Sequence, residues 1–332
     1  MPIPTGTAAI SFSQLRDEMR IGLGDSGAYG AFPLNDATVR EKITDTSVGN
    51  SVSLSSLRGN TYRRFTIAAD TVNYDIRTVF GNSGSGWPGS SKASVDVVVN
   101  GGVIVGSNTT SAYAMDTGAT GWPAPSTITV INNGYIIGHG GNGGPGGDSP
   151  GSAGAGTAGG PALLARRPMK LTNNSSPNGG IVGGGGGGGG GAPGTSTSFT
   201  TSPPVPPTAP SYPTSPGPIT TFSRYGGGAG GGGRTARLPT SGGAFGNATG
   251  PGNLFDSNAG APGTFAGAGA GSGGRGPAGA GGNGGDWGTA GAPGAPGSQA
   301  GGAAGISIQG WTQVSTPVAL GSTGISGPST AG

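Results

Sequence analysis

From Gly183 to Gly191 the chain is nine glycines in succession. A residue without a side chain cannot enter a hydrophobic core, and it loses more conformational freedom on folding than any other. If such a run is ordered, backbone hydrogen bonds must hold it. The polyproline II helix is extended, left-handed and threefold, with no internal hydrogen bonds, so its N–H and C=O groups point outward. Neighbouring glycine strands can satisfy them. A strand that is glycine on all three faces belongs at the centre of a bundle of such strands, and one with glycine on one or two faces at its periphery. The competing reading of a single run is a flexible linker.

Composition narrows the choice. The chain has 332 residues with 79 Gly and 28 Pro, and only 9% are charged, a profile of low-complexity or fibrous chains rather than of ordinary globular domains. Apolar residues are concentrated before residue 140, so a conventional core is expected there alone. The net charge of +3 comes from scattered charges and argues against a nucleic-acid surface, which needs clustered Lys and Arg. With no cysteine and one histidine, His139, neither a disulfide framework nor a His/Cys metal site is available, and no cofactor or metal is expected. The first residues lack a basic region followed by an apolar run, so no signal peptide is expected. No segment reaches 18 apolar residues, and no membrane insertion is expected.

Residues 1–60 carry a threefold echo, Ile10 to Arg16, Phe32 to Thr38 and Val52 to Arg58. Each reads as an apolar-x-apolar step followed by a capping residue. Ser11 with Gln14 fits a capping box, and Asn35 suits the start of a helix through about Ile43. This part is expected to be a small docking module too short for a large core of its own. Residues 61–138 show β-branched alternation at 64–68, 72–80, 95–105 and 127–137. Within them Gly86-Trp87-Pro88 leads to VDVVVNGGVIVG and Gly121-Trp122-Pro123 leads to ITVINNGYIIG, matching Asn100 to Asn132, Gly102 to Gly134 and Gly106 to Gly138. The Asn-Gly steps predict two related hairpins, with the tryptophans plugging their ends.

After Gly138 the composition changes. His139 to Asp148 has a non-glycine residue at every third position, Gly226 to Gly233 offers a second central strand, and glycine recurs at every third residue from Gly273 to Gly297. A linker has no use for that phase, whereas a threefold helix packed along one edge requires it. Residues 139–305 are therefore expected to be a bundle, with Gly183, Gly187, Gly191, Gly228 and Gly231 at its core. Residues 306–332 read as strands returning to the β region. The fold class expected is mostly β and irregular: docking module, β-rich middle domain, and polyglycine II helix bundle with long loops.

Chemistry finds little support. Gly22 to Gly27 matches G-x-G-x-x-G, a match that glycine content alone produces, and it follows a helix rather than a strand. Gly24-Asp25-Ser26-Gly27 resembles a serine nucleophile turn but would depend on His139. Asp70, Asp75, Asp96 and Asp116 show no paired spacing suited to glycoside cleavage. Collagen is disfavoured because the glycine phase breaks before Gly273 and the all-glycine stretches lack proline. Pro203 to Pro218 contains PxxP steps, read as a stiff exposed loop. No enzyme activity is expected.

With NNGYIIGHGGNGGPGG, GGIVGGGGGGGGGAPG, GGNGGDWGTAGAPGAPG and GGAAGISIQG in view, the chain resembles bacteriophage tail-tip proteins, the glycine-rich ends of tail fibres and the adhesins that cap T-even-like long tail fibres. ISFSQLRDEM and VSLSSLRG resemble short modules of phage tail proteins. The resemblance implies a sandwich of polyglycine II helices whose intervening loops touch a host outer-surface receptor, a protein or a polysaccharide. Segments 162–178, 195–225 and 235–258 would be those loops. Aromatic and Arg side chains are the usual anchors of binding surfaces, which selects Arg166, Arg167, Tyr212, Phe222, Tyr225, Arg237, Phe245 and Phe255. Other tail proteins would bind through residues 1–60, and the chain would be a homotrimer or a monomer capping a trimeric fibre. It would be made in the host cytoplasm and work in the virion tail. The alternative is a structural fibre or collar component that contacts only other tail proteins.

Overall fold

A computed structural model of the chain describes residues 11–23, 37–43, 57–82, 92–118, 120–122, 126–147, 153–175, 180–200, 219–225, 228–236, 253–255, 259–274, 277–295, 299–315 and 325–331. It is mostly strand and irregular chain with few helices, and it divides into two units. One comprises residues 1–138, 161–183 and 306–332, and the other 139–160 and 184–305.

The first unit is a stack of five rungs, each with three strands. Rung one is β1 (Thr61–Ile67), β2 (Thr71–Val72) and β3 (Tyr74–Asp75), and rung two is β4 (Ala93–Val99), β5 (Ile104–Gly106) and β6 (Met115–Asp116). Rung three is β7 (Thr127–Asn132), β8 (Tyr135–Ile137) and β9 (Leu163–Leu164). Rung four begins with β10 (Met169–Asn173) and β11 (Ile181–Val182). After β12 (Gly194–Thr200), β13 (Ile219–Tyr225) and β14 (Asn253–Phe255) of the second unit, it closes with β15 (Ile308–Gln309). Rung five is β16 (Val314–Ser315), β17 (Ile325–Ser326) and β18 (Ser329–Thr330). Corresponding strands pair in parallel into three five-stranded sheets, a β-solenoid.

Stacking places like on like. Val95, Ile128 and Met169 are in register on one row, and Val97, Val130 and Leu171 on the next, all buried in a single core with Ile136, Leu163, Ile181 and Ile308. The row of Ile67 and Val99 continues as Asn132 and Asn173, where the Asn132 amide donates to Asn173 Oδ1 at 2.8 Å. Parallel sheets are covered on both faces, and every residue of β4 is buried. The cover on the outer side of β1 and β4 comes from α1 (Phe12–Leu23) and α2 (Ala37–Ile43). The Ser11 N–H donates to Gln14 Oε1 at 2.8 Å and the Gln14 N–H to Ser11 Oγ at 3.3 Å, the capping box that starts α1.

Four expectations change here. The Asn-Gly repeat forms no pair of hairpins: β4 and β5 lie parallel to β7 and β8, so the two copies are successive rungs. Gly102 adopts φ 77 at the corner, but the chain then runs on into the next face instead of doubling back. Residues 72–80 are not one strand; after β3, Asp75 Oδ1 accepts from the Thr78 N–H at 2.6 Å and starts α3 (Ile76–Asn82). Phe80 from α3 is fully buried against Trp122, ring centroids 5.5 Å apart, so Trp122 is part of the core. Trp87 lies outside the described residues. Segment 162–178, expected to be a loop, supplies β9 and β10, because its alternating Met169, Leu171 and Asn173 fit the rows described above.

The second unit is held by backbone hydrogen bonds. Gly184, Gly187 and Gly190 donate to Gly160, Thr157 and Gly154; Gly185, Gly188 and Gly191 donate to Arg234, Gly231 and Gly228; Gly186 and Gly189 donate to Thr289 and Ala292. The carbonyls repeat the pattern. Those of Gly184 and Gly187 accept from Gly305 and Gly302, those of Gly185, Gly188 and Gly191 from Gly141, Gly144 and Gly147, and those of Gly186 and Gly189 from Gly285 and Gly282. The partner segment thus changes with every residue and returns after three. All nine glycines of the run, like Gly228 and Gly231, are buried. A Cβ on Gly187, Gly191, Gly228 or Gly231 would fall closer than 3.0 Å to a backbone oxygen of a neighbouring segment.

Candidate recognition surface

The ladder sorts the connections of the second unit into two ends. At one, Gly184 donates to Gly160, Gly160 to the His139 carbonyl and Gly305 to Gly184; here the chain enters and leaves the unit. At the other, Gly190 donates to Gly154, Gly147 to Gly191, Gly191 to Gly228 and Gly279 to Ala192. The connections 148–152, 275–276 and 296–298 and the excursion between Gly194 and Tyr225 all start from this second end.

That excursion is organised as a sheet. β12 pairs antiparallel with β13, from Gly194 opposite Tyr225 to Thr200 opposite Ile219, and β14 joins β13 in parallel with Asn253 beside Arg224 and Phe255 beside Tyr225. Three of the eight expected anchors, Phe222, Tyr225 and Phe255, therefore share two adjacent strands; of these three, backbone register alone is described. Segment 235–258 starts at the entry end, where the Arg234 carbonyl accepts from Gly185, and arrives at this sheet. Tyr212, Arg237 and Phe245 lie outside the described residues.

Arg166 and Arg167 are elsewhere, in the first unit. Arg166 Nε is 3.0 Å from Asp116 Oδ1, and its N–H donates to Thr117 Oγ1 at 2.9 Å. Asp116 also receives the Gly118 N–H at 2.8 Å. Tyr113, just before β6, donates to Gln309 of β15, and burial raises the Tyr113 phenol above its ordinary range, with Arg166 opposing. This network ties β6, β9 and β15 together and commits the guanidinium to Asp116.

At the entry end of the second unit, Arg234 stacks over Trp287 with its guanidinium carbon 3.6 Å from the ring centroid. It also pairs with Asp286 Oδ1 at 2.7 Å and donates to the Phe265 carbonyl at 3.0 Å, while Phe265 meets Trp287 edge-on at 5.1 Å. None of these residues was singled out from sequence. The available signals were an arginine directly after the Gly226–Gly233 run and an Asp-Trp-Gly turn within the triplet phase. Among the described residues no group of three or more His, Asp or Glu could hold a metal ion, and no helix is long and apolar enough to cross a membrane.

The phage tail fibre adhesin Gp38 family matches residues 63–328, and the chain belongs to that family. The fold is similar to that in the crystal structure of the gp37-gp38 adhesin tip complex of the bacteriophage S16 long tail fiber. The TM-score is 0.51 at 22% sequence identity, covering 87% of this chain and 91% of that one. A comparison with curated proteins finds no match. Membership makes this chain a tail-fibre adhesin of the virion tail.

Proposed function

We propose that this adhesin recognises a receptor on the host surface, a protein or polysaccharide, through the sheet β12–β13–β14 and the connections that leave the same end of the second unit. The observation that carries the reading is the register that brings Tyr225 beside Phe255, with Phe222 three positions earlier on β13. Aromatic residues are the type in which the binding energy of a recognition surface concentrates, and the register sets these on two adjacent strands. Beneath them the glycine segments form a polyglycine II bundle around Gly183 to Gly191. The threefold return of hydrogen-bond partners supports that geometry, and Gly187, Gly191, Gly228 and Gly231 are its core positions. The protein acts by binding and carries out no reaction.

The solenoid unit is the attachment part. The neighbour in the S16 long tail fibre is a gp37-gp38 complex, and by analogy this chain sits at the end of a fibre protein, held through residues 1–60 and the strands they cover. Two assays on the purified fibre tip separate binding from assembly. Exchange of residues 201–218 and 237–252 for those of a relative should change which bacteria the tip adsorbs to, with assembly onto the fibre intact. Unchanged host range with normal assembly would rule out recognition by this surface and leave a structural component of the tail.

A further inference from the structure

We infer that the second unit is a cassette inserted at one corner of a solenoid that is complete without it. The corner is the step from the second sheet to the third. In rung one it is a single residue, Asn73, between β2 and β3; in rung two it is 107–114, between β5 and β6; in rung five it is Gly327 and Pro328, between β17 and β18. In rungs three and four the same step is 138–162 and 183–307, and these two steps hold the whole glycine-rich unit.

The ladder on each side of the corner runs through all five rungs without a break. On the departing side Asn73 donates to Gly106, Ser107 to Ile137, Gly138 to Val182 and Gly183 to Ser326, at 2.9, 3.1, 3.0 and 3.2 Å. On the returning side Tyr74 donates to Ala114, Met115 to Ala162, Ala162 to Ile306 and Ser307 to Pro328, at 2.8, 2.9, 2.9 and 2.8 Å. Strands stacked in register keep the same lateral spacing from rung to rung. The gap that one residue spans in rung one and two residues span in rung five is therefore the gap at rungs three and four. Asn73 has φ 50 and Gly327 φ 115, so both short bridges make the turn with a left-handed residue, as a tight corner requires.

Nor does the core of the solenoid draw on the insertion. The buried cluster runs through Val95, Val97, Ile128, Val130, Met169, Leu171, Ile181 and Ile308, all within the first unit. Repeat architectures derive stability from each unit and its neighbours, and here each rung finds its neighbours without the cassette. The corner is thus a point at which this fold accepts chains of very different length, from Asn73 alone to residues 183–307.

Native-state hydrogen exchange on the intact chain tests this, because separately cooperative units exchange with separate dependence on denaturant. Amides of 163–164, 169–173 and 181–182 are expected to follow those of 94–99 and 127–132. Amides of 141–147, 184–191 and 279–285 are expected to form a second group with its own dependence. One common isotherm, or grouping of 169–173 with the glycine run, would overturn the proposal. A second chain carries the rung-five bridge, Gly-Pro, in place of both 138–162 and 183–307. It should be a soluble monomer that unfolds in one cooperative thermal transition; loss of that transition would show that the solenoid needs the cassette to fold. Neither readout depends on receptor binding, so the recognition reading can fail while this one stands.

Discussion

Lys42 Nζ lies 2.6 Å from Asp96 Oδ1, with side chains only 7% and 10% exposed. This pair fastens α2 to the outer side of β4. Lys42 also donates to Thr129 Oγ1 at 3.2 Å, and Tyr62 donates to the other Asp96 oxygen at 2.8 Å. Burial, with the Asp96 charge and hydrogen bond, raises the Tyr62 phenol far above its ordinary range, so it remains a donor at any working pH. Removing one member of a buried pair strands the other, at a cost of about 3–5 kcal/mol. Lys42→Met should lower the thermal midpoint of the solenoid clearly, and Lys42→Met with Asp96→Asn should recover much of the loss, because Asn still accepts from Tyr62. Equal midpoints for the single and double variants would show that the pair does not hold the helix.

Acid should act at the same place. Burial disfavours the charged form of Glu41, but the hydrogen bond from Lys170 and the charges of Lys42 and Lys170 outweigh it, and the pKa is lowered from 4.5. A carboxylate with a depressed folded pKa contributes stability above its unfolded pKa and loses it as pH falls through the folded value. The solenoid should therefore lose stability as pH drops below about 4.5. Glu41→Gln should flatten that part of the profile and lower the neutral-pH midpoint by the same modest amount, since Lys170 is half exposed and its pair with Glu41 at 2.9 Å is screened. Thermal midpoints of both chains across this pH range decide it.

Within the glycine unit a single methyl group should discriminate between positions. A Cβ on Gly187 would collide with Asn142 O, backbone that cannot move aside, whereas one on Gly267 would meet nothing within 4 Å. Gly187→Ala should lower the thermal midpoint of the glycine unit sharply. Gly267→Ala should be neutral or stabilising by about 0.4–1 kcal/mol through the unfolded chain. Similar behaviour of the two variants would refute the placement of Gly187 at the centre.

What could be read from sequence follows from where the information lies. In the glycine unit packing is by backbone, so absence of a side chain is itself the message. The triplet phase after Gly273 has a direct counterpart in Gly279, Gly282 and Gly285, which donate to Ala192, Gly189 and Gly186. The solenoid was harder. An Asn-Gly step between apolar runs signals a hairpin, and nothing local distinguishes that from a corner between two faces. The better signal was the recurrence of one pattern at nearly constant offset, which a stack of rungs requires and a pair of hairpins does not. The strands of the third and fourth rungs are not legible as rungs, because the glycine unit separates β8 from β9 and β11 from β15. Nor is the Arg234 cluster, because it joins residues 234, 265 and 287 across three segments.

That cluster gives a prediction that keeps scaffold and recognition apart. Trp287 is 8% exposed, lying between the Arg234 guanidinium and the edge of Phe265. Trp287→Ala removes a large buried side chain and should destabilise the glycine unit by about 3–5 kcal/mol. Arg234→Lys keeps a cation for Asp286 but loses the planar stack, and should cost about 0.5–2 kcal/mol. Both changes lie at the end where the chain enters the unit, opposite the end from which β12, β13 and β14 extend. At temperatures where the unit stays folded, adsorption to host cells should therefore equal that of the parent chain, while the thermal midpoint of the unit falls. Lost adsorption from a fully folded Arg234→Lys protein would move the recognition surface to the entry end.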